Sequence, residues 1–157
     1  MKDFNSTRSL VDPYNRAITY LRVSLTQRCN LKCSYCFGST DNGRDASELS
    51  NGEIIQLIKS FALLGINKIR FTGGEPLLRR GVVNLVRETK AIEGIEIVGL
   101  TTNGFLLDSF IGDLVDAGLD NVNISIDSLK AATFHKITGV NAFARVMAGM
   151  DMSLDTF

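Results

Sequence analysis

The sequence predicts an α/β fold of four strand–helix units arranged around a parallel sheet, and three features of the chain lead to it. Four short runs rich in aliphatic and β-branched residues alternate with stretches whose apolar residues recur at helical spacing. Capping residues and glycines punctuate the junctions. Within the strands, apolar and polar residues alternate, as they do when helices cover one face and the other meets something polar. Such alternation of strands and helices implies right-handed βαβ units. Four units fall short of an eight-stranded barrel, so they form a small open sheet or half of a larger curved one.

A polar arm over residues 1–19 precedes a core over residues 20–157. Tyr20-Leu21-Arg22-Val23-Ser24-Leu25 alternates cleanly and is the first strand. Ser50 caps the first helix, Glu53 completes a capping box, and Leu49 with Ile54 forms a hydrophobic staple. Ile54, Leu57, Ile58, Phe61 and Leu64 then follow at helical spacing until Gly65 ends the run. Lys68-Ile69-Arg70-Phe71-Thr72 is the second strand, cut short by Gly73-Gly74, and the next helix carries Val82, Leu85, Val86 and Thr89. Residues 95–100 make the third strand, followed by a helix with Phe110, Ile111, Leu114 and Val115 that stops at Gly118. Asn121-Val122-Asn123-Ile124-Ser125-Ile126 is the fourth strand. Phe134 and Ile137, then Phe143, Val146, Met147 and Met150, predict one broken helix or two short ones.

Composition narrows the function classes. The 157 residues are 45% hydrophobic and 22% charged, an ordinary globular balance. Seventeen basic residues match seventeen acidic ones, which argues against a nucleic-acid or anionic-membrane partner. No apolar run reaches transmembrane length and the polar N-terminus lacks a signal-peptide core, so a cytoplasmic location is expected. His135 is expected at the surface or in helix packing, Met147, Met150 and Met152 in the core, and Asp108, Asp113 and Asp116 on a solvated helix face.

The strand faces point to a ligand. Leu21, Val23 and Leu25, then Ile69 and Phe71, then Val122, Ile124 and Ile126 share the helix-covered side. Arg22, Ser24, Arg70, Thr72, Asn123, Ser125 and Asp127 fall on the other. Parallel sheets seldom leave a face bare, and α/β proteins bind ligands at the C-terminal ends of their strands. Two arginines there suit a phosphate or carboxylate, which their forked donors grip in bidentate fashion.

All three cysteines fall in one loop directly after the first strand: Cys29-Asn30-Leu31-Lys32-Cys33-Ser34-Tyr35-Cys36, the spacing C-x3-C-x2-C. An odd, tight cluster is a poor disulfide framework, and a zinc site would want a fourth ligand, for which the distant His135 is a weak candidate. Three thiolates can hold three irons of a cubane and leave the fourth open; the alternatives are ordinary buried thiols or a redox pair with a spare. Gly73-Gly74-Glu75-Pro76 follows the second strand, and its paired glycines allow close backbone approach to a small ligand's amino group.

Together the cysteine triplet and Gly73-Gly74-Glu75-Pro76 resemble the cluster and S-adenosylmethionine (SAM) motifs of the radical SAM superfamily. Other segments resemble, more narrowly, the GTP 3′,8-cyclase (molybdenum cofactor biosynthesis protein A) family. They are Tyr20-Leu21-Arg22-Val23-Ser24-Leu25-Thr26, Lys68 through Leu78, Leu100-Thr101-Thr102-Asn103-Gly104-Phe105-Leu106-Leu107, Val122-Asn123-Ile124-Ser125-Ile126-Asp127-Ser128-Leu129 and Ile137-Thr138-Gly139. The resemblance implies a partial TIM barrel of four βα units. It implies a [4Fe–4S] cluster on Cys29, Cys33 and Cys36, SAM contacts from Tyr35, Gly73, Gly74, Glu75 and Ser125, and GTP contacts from Arg22, Arg70 and Thr101. Strand alternation supports Arg22, Arg70 and Ser125 independently but leaves the choice between Thr101 and Thr102 open.

In that family, reductive cleavage of SAM yields a 5′-deoxyadenosyl radical that takes hydrogen from the GTP ribose, with electrons from a partner such as flavodoxin or ferredoxin. This chain departs from the family pattern at Gln27 and at Phe37-Gly38-Ser39, and it has no cysteine after Cys36. Family members carry a second three-cysteine cluster in a C-terminal half and a glycine-rich tail. The chain is therefore expected to be an N-terminal half, with exposed sheet edges that favour self-association. Another radical SAM enzyme and an inert iron–sulfur or zinc-binding fragment are the competing readings.

Overall fold

The computed structural model describes residues 9–36 and 48–157; residues 1–8 of the arm and the departure at residues 37–39 lie outside them. Four parallel strands, β1 (Tyr20–Ser24), β2 (Lys68–Thr72), β3 (Ile97–Thr102) and β4 (Asn121–Ile124), lie in the order β1-β2-β3-β4. The helices are α1 (Asn51–Ala62), α2 (Val82–Lys90), α3 (Leu107–Asp116), α4 (Ala131–Thr138) and α5 (Phe143–Leu154), with a 3-10 turn over Pro76–Leu78. The chain is thus α/β, and among the described residues one α-helix follows each of the first three strands and two follow the fourth.

Its core lies between the sheet and α1, α2 and α3. Ile69, Phe71, Val98 and Leu100 project from the strands into a cluster with Ile54, Ile55 and Ile58 of α1, Val82, Leu85 and Val86 of α2, and Leu107, Ile111 and Leu114 of α3. The helix read from Val82, Leu85, Val86 and Thr89 buries those four residues. Ser50 caps α1 and forms the full capping box with Glu53.

In α1 the buried face is Ile54, Ile55 and Ile58, whereas Leu57 is half exposed. At 100° per residue the stripe centres on Ile58, and Leu57 falls outside it. The third strand runs two residues later than the expected 95–100, because Glu96 and Ile97 first donate their N–H groups to Asn67 O in a connecting turn. The first and fourth strands end one and two residues early.

Two helices, not one broken one, close the chain, with Gly139 (φ +69°) between them. Met152 is exposed, contrary to its expected place in the core, and α5 buries Val146, Gly149 and Ser153 instead. The cause is the close approach of α5 to the start of α3: a Cβ on Gly149 would stand 3.0 Å from Gly104 O. Small residues must line that contact, so Met152 is turned aside, while Met147 and Met150 stay partly buried. His135 is exposed, as are Asp113 and Asp116, while Asp108 pairs with Arg145 at 3.4 Å.

Arg79 joins the two ends of this layer that carry the site. Its buried guanidinium donates to Leu25 O at 2.6 Å, to Leu49 O and to Asn51 Oδ1 at 2.7 Å, tying the end of β1 to the start of α1. No helix among the described residues is long and apolar enough to cross a membrane.

Phe71 is fully buried at the centre of the sheet. Phe71→Ala should cost about 3–5 kcal/mol of unfolding free energy, read from urea melts; a loss under about 1 kcal/mol would show that the core is not centred there.

Candidate active site

The cysteine loop leaves the C-terminal end of β1 and is fastened to the far side of the sheet. Lys32 N–H donates to Thr138 O at 2.8 Å and Ser34 N–H to Ile137 O at 2.9 Å. The Tyr35 hydroxyl donates to Asp127 Oδ2 at 2.8 Å. Gly139 ends α4 hard against the loop, where a Cβ would meet the Lys32 main chain at 3.3 Å. The Ile137-Thr138-Gly139 segment is therefore the anchorage of the cysteines. Leu31 packs into a small cluster with Phe134, Ala142 and Val146, and Cys29 and Cys33 lie against it, half buried.

The electrostatics of the loop follow from that placement. Burial pushes the Cys33 thiol up, opposed by its hydrogen bond with Tyr35 and reinforced by Asp127, Cys29 and Cys36 nearby. The Tyr35 hydroxyl is held far above its ordinary range, first by donating to Asp127 and then by burial. Cys29 Sγ accepts N–H groups from Leu31 at 3.5 Å and from Asn103 Nδ2 at 3.7 Å.

Gly73 and Gly74 bring the next loop into place. A Cβ on Gly73 (φ +144°) would sit 2.5 Å from Thr26 O, and one on Gly74 would sit 2.3 Å from Arg28 O. Gly74 N–H donates to Thr26 O and Glu75 N–H to Arg28 O, both at 2.7 Å. The close approach that these glycines permit is to the chain's own backbone, at the root of the cysteine loop; their outer sides stay exposed. Glu75 is fully buried and points inward. Its Oε1 accepts from Leu77 N–H at 3.0 Å and Thr102 Oγ1 at 2.8 Å, and its Oε2 from Asn103 N–H at 2.8 Å. Burial pushes its carboxyl up, while the bonds from Asn103, Leu77 and Thr102 pull it down.

An open cleft of about 540 Å³ crosses the sheet face opposite the core, lined among others by Tyr20, Arg22, Arg70, Thr101, Asn123 and Ser125. The parallel register lines these up: Arg22 pairs with Arg70, Arg70 with Gly99, Gly99 with Asn121, and Thr101 with Asn123. Thr101 faces the cleft; Thr102, on the other side of the strand, is 2% exposed and serves Glu75. Arg70 lies across Gly99, donating through Nη1 to Leu100 O at 3.1 Å and Nη2 to Asn121 Oδ1 at 2.6 Å. A Cβ on Gly99 would stand 2.6 Å from Asn121 Oδ1 and 3.0 Å from the Arg70 guanidinium. The cysteines, Tyr35 and residues 73–75 lie outside the cleft lining, at the same C-terminal edge of the sheet.

The donor set fits an iron–sulfur cluster. Three thiols leave one loop, and sulfur-directed N–H groups are in place at Cys29. Asn30 Nδ2, beside Cys29 in sequence, is buried without a hydrogen-bond partner, an arrangement that costs on the order of 1–3 kcal/mol and that cluster sulfurs would relieve. Among the described residues no three His, Cys, Asp or Glu side chains gather as a cage for a single ion.

The radical SAM superfamily model matches residues 23–156. The chain belongs to the radical SAM superfamily. It is 44% identical over 154 residues to a GTP 3′,8-cyclase of Psychromonas ingrahamii, covering 98% of this chain and 45% of that protein. It is 46% identical to the GTP 3′,8-cyclase of Lactiplantibacillus plantarum, over 90% of this chain and 43% of that one. Molybdenum cofactor biosynthesis protein 1 of Drosophila melanogaster is 44% identical, over 92% and 26%. This radical SAM chain thus spans less than half the length of these curated relatives. Among solved structures, methylornithine synthase (PylB) superposes with TM-score 0.71 at 16% identity, covering 87% of this chain and 41% of that one. Streptococcus suis SuiB bound to S-adenosylmethionine superposes with TM-score 0.68 at 17%, covering 87% and 30%. These two show the fold alone.

Sequence reasoning missed Gly99, Asn121 and Asn103. Strand alternation could have found Asn121, which is two residues before Asn123 on the same face. Nothing in the chain marks Gly99, and Asn103 stands out only as one member of the Leu100 to Leu107 segment, because the importance of both lies in contacts with residues distant along the chain. Gly99→Ala should displace Arg70 from Asn121 and cost about 1–3 kcal/mol, measured by urea unfolding; an unchanged midpoint would mean that the guanidinium has room to move.

A second expectation concerns Glu75. Its folded pKa lies above its unfolded value, so folding favours the protonated form. The site therefore subtracts stability as pH rises from about 4.5 through the raised value. Relative to wild type, Glu75→Gln should remove that decline, while lowering stability at the acid end because its amide confronts the Asn103 N–H. Urea melts at a series of pH values check this, and parallel curves for the two proteins would refute it.

Proposed function

We propose that this chain is the SAM-cleaving core of a GTP 3′,8-cyclase-type enzyme of molybdenum cofactor biosynthesis, acting in the cytoplasm with a flavodoxin- or ferredoxin-like reductant. The observation that carries the reading is the convergence of Arg22, Arg70, Thr101 and Ser125, one from each strand or its end, on one cleft beside the cysteine loop. Identity of 44% to a GTP 3′,8-cyclase over nearly the whole chain supports the same assignment.

In this reading Cys29, Cys33 and Cys36 hold a [4Fe–4S] cluster, which when bound and reduced supplies the electron that splits SAM into methionine and a 5′-deoxyadenosyl radical. Tyr35, Gly73, Gly74, Glu75 and Ser125 hold SAM. For Glu75 that role is indirect, since the whole residue is buried, its N–H donates to Arg28 O and its carboxylate serves Asn103: it holds the turn behind the exposed Gly73 and Gly74. Arg22, Arg70 and Thr101 hold GTP. Asn121 and Leu100 O take two of the five N–H donors of Arg70 and keep its plane along the strands. The remaining donors suit a triphosphate or a purine acceptor. The sheet and its helices exclude water from one side of the cleft, as confining a radical to its target requires.

The test is anaerobic reconstitution with iron and sulfide, followed by EPR of the reduced protein with and without SAM, and equilibrium dialysis of GTP. A [4Fe–4S]⁺ signal that shifts on adding SAM is expected, and it should vanish in Cys33→Ser. GTP binding should weaken at least tenfold in Arg70→Ala. A protein that forms no cubane, or whose signal ignores SAM, would favour the inert-fragment reading.

A further inference from the structure

Asn103 sits where the turn after β3 meets the cysteine loop, and each of its polar groups other than the carbonyl is committed. Its backbone N–H donates to Glu75 Oε2 at 2.8 Å, and its Oδ1 accepts the Phe105 N–H at 2.9 Å. The second bond fixes which end of the carboxamide is oxygen, so Nδ2 faces the cysteines. There it donates to Asn30 Oδ1 at 2.8 Å and to Cys29 Sγ at 3.7 Å. A carboxamide nitrogen carries two hydrogens, and both are used. The residue is only 9% exposed and lines no part of the cleft.

We propose that Asn103 is a positioning residue that raises the reduction potential of the cluster through the sulfur of Cys29, with Glu75 holding it in place. The inference rests on the cluster reading above. Hydrogen bonds to cluster sulfurs are one of the protein's controls on potential. A donor stabilises the sulfur most when the cluster has gained an electron and the sulfur carries more negative charge. The step is a one-electron reduction, [4Fe–4S]²⁺ to [4Fe–4S]⁺, by an external reductant; no bond in the protein forms or breaks. Glu75 matters because its carboxylate fixes the Asn103 backbone while the Phe105 N–H fixes the far end, so the Nδ2–H cannot swing away from Cys29.

The test is a redox titration with dithionite of the reconstituted full chain, followed by EPR at set potentials, on wild type, Asn103→Asp and Asn103→Ser. Asn103→Asp keeps the acceptor for Phe105 and replaces the donor with a charged oxygen; Asn103→Ser is too short to reach Cys29. Both should be harder to reduce, by about tenfold in the equilibrium constant or about 59 mV for one electron, with Asp shifted further than Ser. Melting curves of the cluster-free variants run alongside. An unchanged or raised potential at full cluster content overturns the inference. Loss of folding or of cluster uptake in both variants overturns it too, leaving Asn103 as a structural tie. A wild-type chain that takes up no cubane sinks the cluster reading and this inference with it, whereas a normal wild-type cubane with indifferent variants sinks this inference alone.

Discussion

A carboxylate with no solvent exposure must find its donors within the protein, because an uncompensated buried charge is among the most expensive things a fold can contain. Glu75 meets that demand with the Leu77 and Asn103 amides and the Thr102 hydroxyl. These partners come from its own 3-10 turn, from the last residue of β3 and from the loop that follows. The ends of β2 and β3 are therefore locked to one another at the edge of the sheet where the site lies. The same turn presses Gly73 and Gly74 against residues 26–28, so the root of the cysteine loop inherits the constraint. The loop's other end is set by α4 and Asp127. Three strands and a helix thus fix the cysteines, although all three cysteines come from one short stretch of chain.

The inner face answers to a different constraint. Its polar residues stand on strands whose other side is packed with aliphatic groups, and Arg70 can lie along this face only because Gly99 leaves room. Holding a guanidinium flat against Asn121 and a strand carbonyl reduces its freedom before any ligand arrives. Preorganisation of this kind lowers the ordering cost of binding. Arg22, by contrast, is exposed on the edge strand, so the two arginines differ in how far the fold has already placed them.

Much of this was legible in the sequence, and what was missed has physical causes. Period-2 alternation placed Arg22, Arg70 and Ser125 on the inner face because a strand's two sides are geometrically obligatory. Capping chemistry placed the start of α1, since Ser50 and Glu53 satisfy each other's backbone groups locally. The third strand was misplaced by two residues because its start is decided by Asn67, a residue on another strand's approach. The choice between Thr101 and Thr102 depended on that same register. Hydropathy places Met152 in the core because it does not report how closely two helices approach, which Gly149 sets. The paired glycines showed that something comes close, but only the folded chain identifies it as residues 26–28. Asn103 carries no signal of its own beyond the segment it belongs to, because its meaning lies in Glu75 and Cys29, both distant along the chain.

The site's geometry is in the end a consequence of the core. In a parallel sheet a slip of one residue between neighbouring strands would carry every inner side chain to the helix face. Arg22 beside Arg70, and Thr101 beside Asn123, exist only in the register observed. That register is enforced from the other side, where Ile69, Phe71, Val98 and Leu100 must all reach the apolar layer of α1, α2 and α3. A shift would bury arginine and expose phenylalanine at once, so the alternatives are excluded by many kcal/mol in sum. Few of the cleft's polar side chains need to bond to one another to stay aligned. They are aligned by residues that never touch the ligand, which leaves their own hydrogen-bonding groups available to one.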